Sequence, residues 1–158
     1  MDYQALVPVT GVITAIRRQS EDCCSQMLLL NTDSGQVNFL LSAETMVLGN
    51  IRLRMGMRVM AYYDSRLPVP LIYPPQYQAQ VIAVLRPGEQ GYLGFFDRRL
   101  TAADQSLRLN IANSTTVLTA NGQSFSCPPV NQTLFVYYTV TTRSIPPQTT
   151  PRKIVVLC

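Results

Sequence analysis

The chain repeats itself, and no other feature restricts its fold as much. Gly11 to Leu85 and Gly91 to Leu157 read as two copies of one β-rich unit. Ala61-Tyr62-Tyr63 is echoed by Val136-Tyr137-Tyr138, Pro74-Pro75 by Pro146-Pro147, and Ile82-Ala83-Val84-Leu85 by Ile154-Val155-Val156-Leu157. Leu29-Leu30-Asn31 is matched to Arg108-Leu109-Asn110. A repeat of this length fixes architecture before any single residue does. The 158 residues suffice for one ordinary domain or two small ones, and the repeat selects two. Residues 1–86 form the first, 91–158 the second, and 87–90 (Pro87-Gly88-Glu89-Gln90) the linker. A unit of about 70 to 80 residues supports only a marginal core, so the copies are expected to pack together.

Both copies read as strands separated by turn signals. In the first, β-branched residues mark a strand over Leu6–Ile16, with Gly11 as a bend. Arg17–Ser25 is polar and reads as a loop. Met27–Asn31 and Val37–Leu41 flank the turn Thr32-Asp33-Ser34-Gly35, in which Gly accepts positive φ. Ser42 can cap one helical turn, and Arg58–Tyr63 and Gln78–Leu85 close the unit. The second copy follows with Gly91–Phe96, Leu107–Ile111, Thr115–Thr119, Leu134–Val140 and Lys153–Leu157. About five strands with an excursion between the third and fourth is the plan of an OB-type Greek-key barrel. The expected fold is all-β: two tandem, duplicated, OB-like small barrels.

The residue inventory removes whole classes of chemistry. There is no histidine, so Ser-His and Cys-His nucleophile pairs are absent, as is the commonest metal ligand. The nine acidic residues are scattered, and no pair recurs at equivalent places in the two copies. No phosphate-binding Gly-rich loop or dinucleotide fingerprint occurs. The expectation is a protein that is not an enzyme and takes no cofactor or metal.

Three features remain that bear on function. The first is the proline loop Leu67-Pro68-Val69-Pro70-Leu71-Ile72-Tyr73-Pro74-Pro75, apolar and expected to be extended. A stiff apolar loop loses little entropy on docking, so Leu71, Ile72, Tyr73, Pro74 and Pro75 are the candidate protein contacts. Second are the four cysteines, Cys23, Cys24, Cys127 and Cys158. None lies in a Cys-x-x-Cys spacing, which argues against a zinc or thioredoxin-like site. Neighbours such as Cys23 and Cys24 bond each other poorly; ordinary reduced thiols are the plainer reading, and the alternative is a bond from Cys23 or Cys24 of one subunit to Cys127 or Cys158 of another. The third feature is the tyrosine pair on each fourth strand. Tyr62 and Tyr137, joined by Arg58 and Arg66, would make a stacking platform for single-stranded nucleic acid. Core packing is the plainer role for these rings.

Charged residues make up only 14% of the chain and the net charge is +4. So little charge suits repeated contact with other proteins better than dispersal. The N-terminus lacks the basic and apolar regions of a secretory signal, and no apolar run could span a bilayer, so a cytoplasmic protein without membrane insertion is expected.

Tyr62-Tyr63-Asp64, the Ile72–Tyr77 loop, Phe95-Phe96-Asp97 and Thr142-Arg143-Ser144-Ile145-Pro146 together resemble a family of small, functionally uncharacterised proteins from anaerobic, spore-forming bacteria. The resemblance covers most of the chain and carries over no catalytic residue or ligand. It implies a two-copy β protein and an envelope- or spore-associated location reached without a signal. The leading expectation is a structural or scaffold subunit that assembles, as a homo-oligomer or with other proteins, into a layer or filament. The alternatives are an OB-type nucleic-acid module and, more remotely, a carbohydrate or cell-wall binder acting through tyrosine faces.

Overall fold

Apart from two short 3-10 turns, the regular structure in a computed structural model describing residues 1–158 is all β. The chain divides into units Met1–Arg86 and Pro87–Cys158. In the first, β1 (Leu6–Gln19), β2 (Asp22–Thr32), β3 (Gly35–Leu41), β4 (Met46–Val47), β5 (Arg58–Asp64), β6 (Gln76–Gln78) and β7 (Val81–Leu85) form one mixed sheet. Its order is β4-β7-β5-β1-β2-β3-β6. Strand β1 is long enough to serve two partners. Its first half, Leu6 to Val12, pairs with β5, and its second half, from Val12 on, pairs with β2.

The expected loop over Arg17–Ser25 is instead the end of this hairpin. β1 continues to Gln19, Ser20-Glu21 turn, and β2 begins at Asp22. The register jumps from Arg18↔Gln26 to Gln19↔Asp22, leaving Cys23, Cys24 and Ser25 as a bulge. The Asp22 carboxylate holds that bulge, accepting from the Cys24 N–H at 2.9 Å and the Ser25 hydroxyl at 2.7 Å. Polar residues can sit in a strand when both faces are in water, so polarity alone did not mark a loop here.

The expected closed barrels are not present; the pairing forms mixed sheets. The segment from Gln76 to Leu85 changes partners midway. β6 runs parallel to β3, and β7 runs antiparallel to β5. Ala79 N–H donates to Leu40 O (3.0 Å) and Gln80 N–H to Tyr62 O (2.8 Å), which splits the strand at the switch. In the second unit β8 (Gln90–Phe96), β10 (Thr116–Thr119), β11 (Gln132–Tyr138) and β13 (Lys153–Val156) form a sheet of order β10-β13-β11-β8. β9 (Arg108–Leu109) and β12 (Gln148–Thr149) form a separate parallel pair. Pro151 stands at the switch here and has no N–H to offer, so the split is wider.

The two units use the same pairings. The order β10-β13-β11-β8 parallels β4-β7-β5-β1, with the first pair parallel and the next two antiparallel in both. Ala61 faces Ile82 and Val9, and Val136 faces Ile154 and Tyr92. Thr45 Oγ1 donates to Ala79 O at 2.8 Å, as Thr115 Oγ1 does to Pro151 O at 2.8 Å. One expected match shifts. β9 pairs with β12 as β3 pairs with β6, so Arg108-Leu109 stand where Asn38-Phe39 do, not at Leu29-Leu30.

Each unit has its own core. Ile13, Leu28, Leu30, Phe39, Val59, Ala61 and Ile82 cluster in the first; Phe96, Leu107, Leu109, Leu134, Val136, Ile154 and Val156 cluster in the second. Neighbours of opposite facing are buried as well, including Tyr62, Val81 and Ala83, and Phe135, Tyr137 and Val155. Strands buried on both faces read as unbroken apolar runs, which is the form of Val81–Leu85 and Leu134–Val136.

Gly11 sits where β1 passes closest to β2. A Cβ there would stand 2.8 Å from Asn31 O and 3.0 Å from the Thr32 methyl. Backbone cannot yield as a side-chain end can. Gly11→Ala is expected to lower unfolding free energy by about 1–3 kcal/mol, the usual range for overpacking. Thr10→Ala, at the exposed neighbour, should stay within about 0.5 kcal/mol. Urea denaturation of both variants measures the difference, and equal midpoints would contradict the close-approach argument.

Candidate interaction surface

Strand β5 ends at Asp64 and β6 begins at Gln76, and the proline loop is what lies between. Both ends are tied. Ser65 N–H and Oγ both donate to Ala5 O (3.0 and 2.9 Å), and Leu67 N–H donates to Asp64 O at 3.2 Å. Arg66 folds back on Asp64 (Nη2–Oδ2 2.9 Å, Nε–Oδ1 3.1 Å) and reaches Asp2 at 3.2 Å. The Asp64 carboxyl is held below the usual carboxylate range, first by the Arg66 side-chain bond and then by the Arg66 N–H. At the far end Asn38 N–H donates to Pro75 O at 2.9 Å, and Tyr73-Pro74 is cis.

Between these ties the apolar side chains face water. Leu71 is fully exposed, Tyr73 is 82% exposed and Ile72 54%. Pro74 and Pro75 are half-buried at the return. From Leu67 to Leu85 no residue is charged. On the inner side the loop curls over two shallow hollows. The smaller, about 100 Å³, is lined by Leu40, Tyr63, Leu67, Pro68, Tyr77 and Gln78, among others. The larger, about 430 Å³, lies between Val69, Pro70, Pro75 and Tyr77 and the tip residues themselves. The Tyr63 and Tyr77 rings stack at 3.8 Å and 8°, and Tyr77 leans on Phe39 at 5.7 Å. Burial raises the Tyr63 hydroxyl above its ordinary pKa, and the adjacent Tyr77 adds to the rise.

The equivalent loop of the second unit is shorter and more polar. The Thr142 and Ser144 hydroxyls lie 2.6 Å apart, and Gln148 N–H donates to Thr142 Oγ1 at 3.0 Å. It too carries a cis proline, Ile145-Pro146, preceded by a fully exposed apolar residue, Ile145. Val140 is also exposed. Sequence reading had not singled out Tyr77, Val140 or Ile145 as site residues. The signal available for Ile145 was its place in the echo of Tyr73-Pro74 by Ile145-Pro146.

The residues expected to bind nucleic acid do not form a platform. Tyr62 is 3% exposed and Tyr137 1%, so no base can reach either ring face. Both lie on the opposite side of their strands from the core-facing Tyr63 and Tyr138. Arg58 opens β5 and Arg66 lies two residues beyond its end at Asp64, so the length of the strand, roughly 20 Å at strand rise, separates them, and Arg66 is already paired with two carboxylates. Tyr137 is enclosed by cations of its own unit: Arg152 lies 5.1 Å and Lys153 4.6 Å from its ring centroid.

The four cysteines are all exposed and none is bonded within the chain. Cys23 and Cys24 lie on β2 rather than in a loop. No helix is long and apolar enough to cross a membrane, and no group of three or more His, Cys, Asp or Glu side chains could hold a metal ion. No family model matches the chain, and no curated protein does.

The presumed linker contains a buried charge. Glu89 is 2% exposed and grips Arg152 through both oxygens, Oε2–Nε at 2.7 Å and Oε1–Nη2 at 2.9 Å. Arg152 N–H also donates to Tyr137 O at 2.9 Å, so the pair ties the start of β8 to β11 and β13. Removing one partner of a buried pair costs more when the survivor is the buried one. Arg152→Ala strips the bidentate donor from an enclosed carboxylate and should cost about 3–5 kcal/mol. Glu89→Ala leaves a guanidinium that is 29% exposed and should cost less. Thermal and urea unfolding of the two variants gives the order.

Proposed function

We propose that this chain is a non-catalytic structural or scaffold subunit that works through protein–protein contacts made by the Leu67–Pro75 loop. The observation that carries this reading is a charge-free apolar loop, tied at both ends, whose Leu71, Ile72 and Tyr73 side chains face water. Order already present in the loop lowers the entropy lost on docking. Contiguous exposed apolar surface on an otherwise well-packed domain marks an interaction site. Self-assembly into an envelope- or spore-associated layer or filament, the role implied by the family resemblance, is the setting we favour. Exposed thiols that form no bond within the chain support a covalent lock on such contacts under oxidising conditions.

We further read the two units as OB-like copies of one ancestor. The shared strand order, the matched Ala61 and Val136 registers and the paired Thr45 and Thr115 hydroxyl bonds support that reading.

Sedimentation velocity at several concentrations, in reductant, tests the loop. The wild-type chain is expected to associate as concentration rises, and Leu71→Ser/Ile72→Ser/Tyr73→Ser to remain monomeric with an unchanged unfolding midpoint. Association that survives the triple substitution would remove the loop from the account. For the thiols, native material run on a gel without reductant should show ladders that collapse to monomer when reductant is added.

A further inference from the structure

We infer that Asn121 is a site of spontaneous deamidation, and that its pace is set by the opening of a turn that Thr119 holds shut. The turn follows β10. Thr119 N–H donates to Gln123 O at 2.7 Å, and Gly122 N–H donates to Thr119 O at 3.0 Å. Asn121 and Gly122 at its tip are both exposed. Gly122 has a φ of +86°, and nothing lies within 4 Å of where its Cβ would stand. That conformation selects glycine, and glycine is what makes the preceding asparagine reactive. No side chain stands between the Gly122 nitrogen and the Asn121 amide carbon. Asn121 is the only asparagine in the chain followed by glycine; every other precedes a residue with a side chain.

The chemistry needs only water and a base. A base takes the Gly122 amide proton, and the nitrogen bonds to Asn121 Cγ. The Cγ–Nδ2 bond breaks, the departing nitrogen takes a proton from water, and ammonia leaves. The five-membered succinimide that remains then adds one water. Breaking the new bond from nitrogen to Cγ leaves aspartate. Breaking the original peptide bond leaves isoaspartate, whose backbone runs one atom longer through Cβ and Cγ. Either product places a carboxylate at the turn and lowers the net charge of +4 by one.

Thr119 controls both reactants. An amide nitrogen attacks only once it has lost its proton, and the Gly122 proton is engaged by Thr119 O. The Thr119 hydroxyl holds the electrophile, donating to Asn121 Oδ1 at 2.7 Å, and accepts from Gln123 N–H at 3.1 Å. A donor on the amide oxygen would favour attack by a free nitrogen. Here the nitrogen is not free, so the closed turn is the unreactive form. Exposed turns open locally at little cost, and the reaction proceeds through the open fraction. Loss of the hydroxyl removes bonds that keep the turn closed, and one such bond changes the open fraction about three- to tenfold.

The test incubates the full chain in mildly alkaline buffer with reductant, native and unfolded in urea. Peptide mapping by mass spectrometry follows the rise of about one dalton at each asparagine, and electron-transfer fragmentation separates isoaspartate from aspartate. Asn121 is expected to convert before any other asparagine, at least fivefold more slowly in the native chain than in urea. Thr119→Val should speed the native reaction about three- to tenfold and leave the reaction in urea unchanged. Thr119→Ser, which keeps the hydroxyl, should restore the wild-type pace. Asn113, exposed in the same unit, reports folding: its pace should not change in either variant. Another asparagine reacting first, or an Asn121 still untouched in the native chain once the unfolded chain is fully converted, would overturn the site. Equal rates in native and unfolded chains, or in wild type and Thr119→Val, would overturn the control by Thr119.

Discussion

Strand β5 is hydrogen-bonded along both edges, and the rest of the first unit hangs on that. One edge pairs with β1 from Leu6↔Asp64 to Val12↔Arg58, the other with β7 from Arg58↔Leu85 to Tyr62↔Val81. With both ladders fixed, side chains of β5 have no freedom to change face. Val59, Ala61 and Tyr63 go to the core, and Tyr62 goes the other way. The end of β5 and the start of β6 are then fixed points. The eleven residues between them, 65–75, have to leave the sheet and return, and four prolines (Pro68, Pro70, Pro74 and Pro75) make that excursion stiff. The exposure of Leu71 and Tyr73 follows from the pairing of a strand some residues away.

The second unit keeps the same central ladders and trims what surrounds them. β11 pairs with β8 and β13 as β5 pairs with β1 and β7. The long hairpin of β1 and β2 has no counterpart of comparable length. After Phe96, Asp97 turns the chain by accepting from the Arg99 and Thr101 N–H groups at 2.8 and 3.1 Å. Thr101 and Ala102 then bridge to Arg108 and Phe96. At the base of the excursion Thr149 stands where Tyr77 does, and its hydroxyl donates to Val140 O at 2.6 Å. A tyrosine stack supports the apolar loop in one unit, and a hydroxyl bond ties down the polar loop in the other.

Much of this was legible in the residues, for reasons that can be stated. Apolar runs such as Val81–Leu85 and Leu134–Val136 mark strands enclosed on both faces whatever their partners are. Proline content marked the excursion, since proline cannot donate to a ladder. What could not be read was anything set by pairing. The hairpin end over Ser20 to Cys24 is polar because it projects into water, and polarity there carries no sign of a strand. Tyr62 and Tyr63 are identical residues in adjacent positions, and only the register decides which is enclosed and which leans on Tyr77. Glu89 read as a linker residue because its partner, Arg152, lies 63 positions away. Cys23 and Cys24 belong to the same polar stretch, so their sequence context carries no strand signal either.

The account comes down to whether Leu67–Tyr73 is a contact surface or only a rigid crossover between β5 and β6. Amide hydrogen exchange at low and high protein concentration decides this at the residues concerned. If the loop is a contact surface, the Val69, Leu71, Ile72 and Tyr73 amides exchange quickly in dilute solution and slow as the chain is concentrated. Those of β5 and β7 stay protected throughout. Exchange in the loop that is the same at every concentration, while other exposed segments slow, would contradict it.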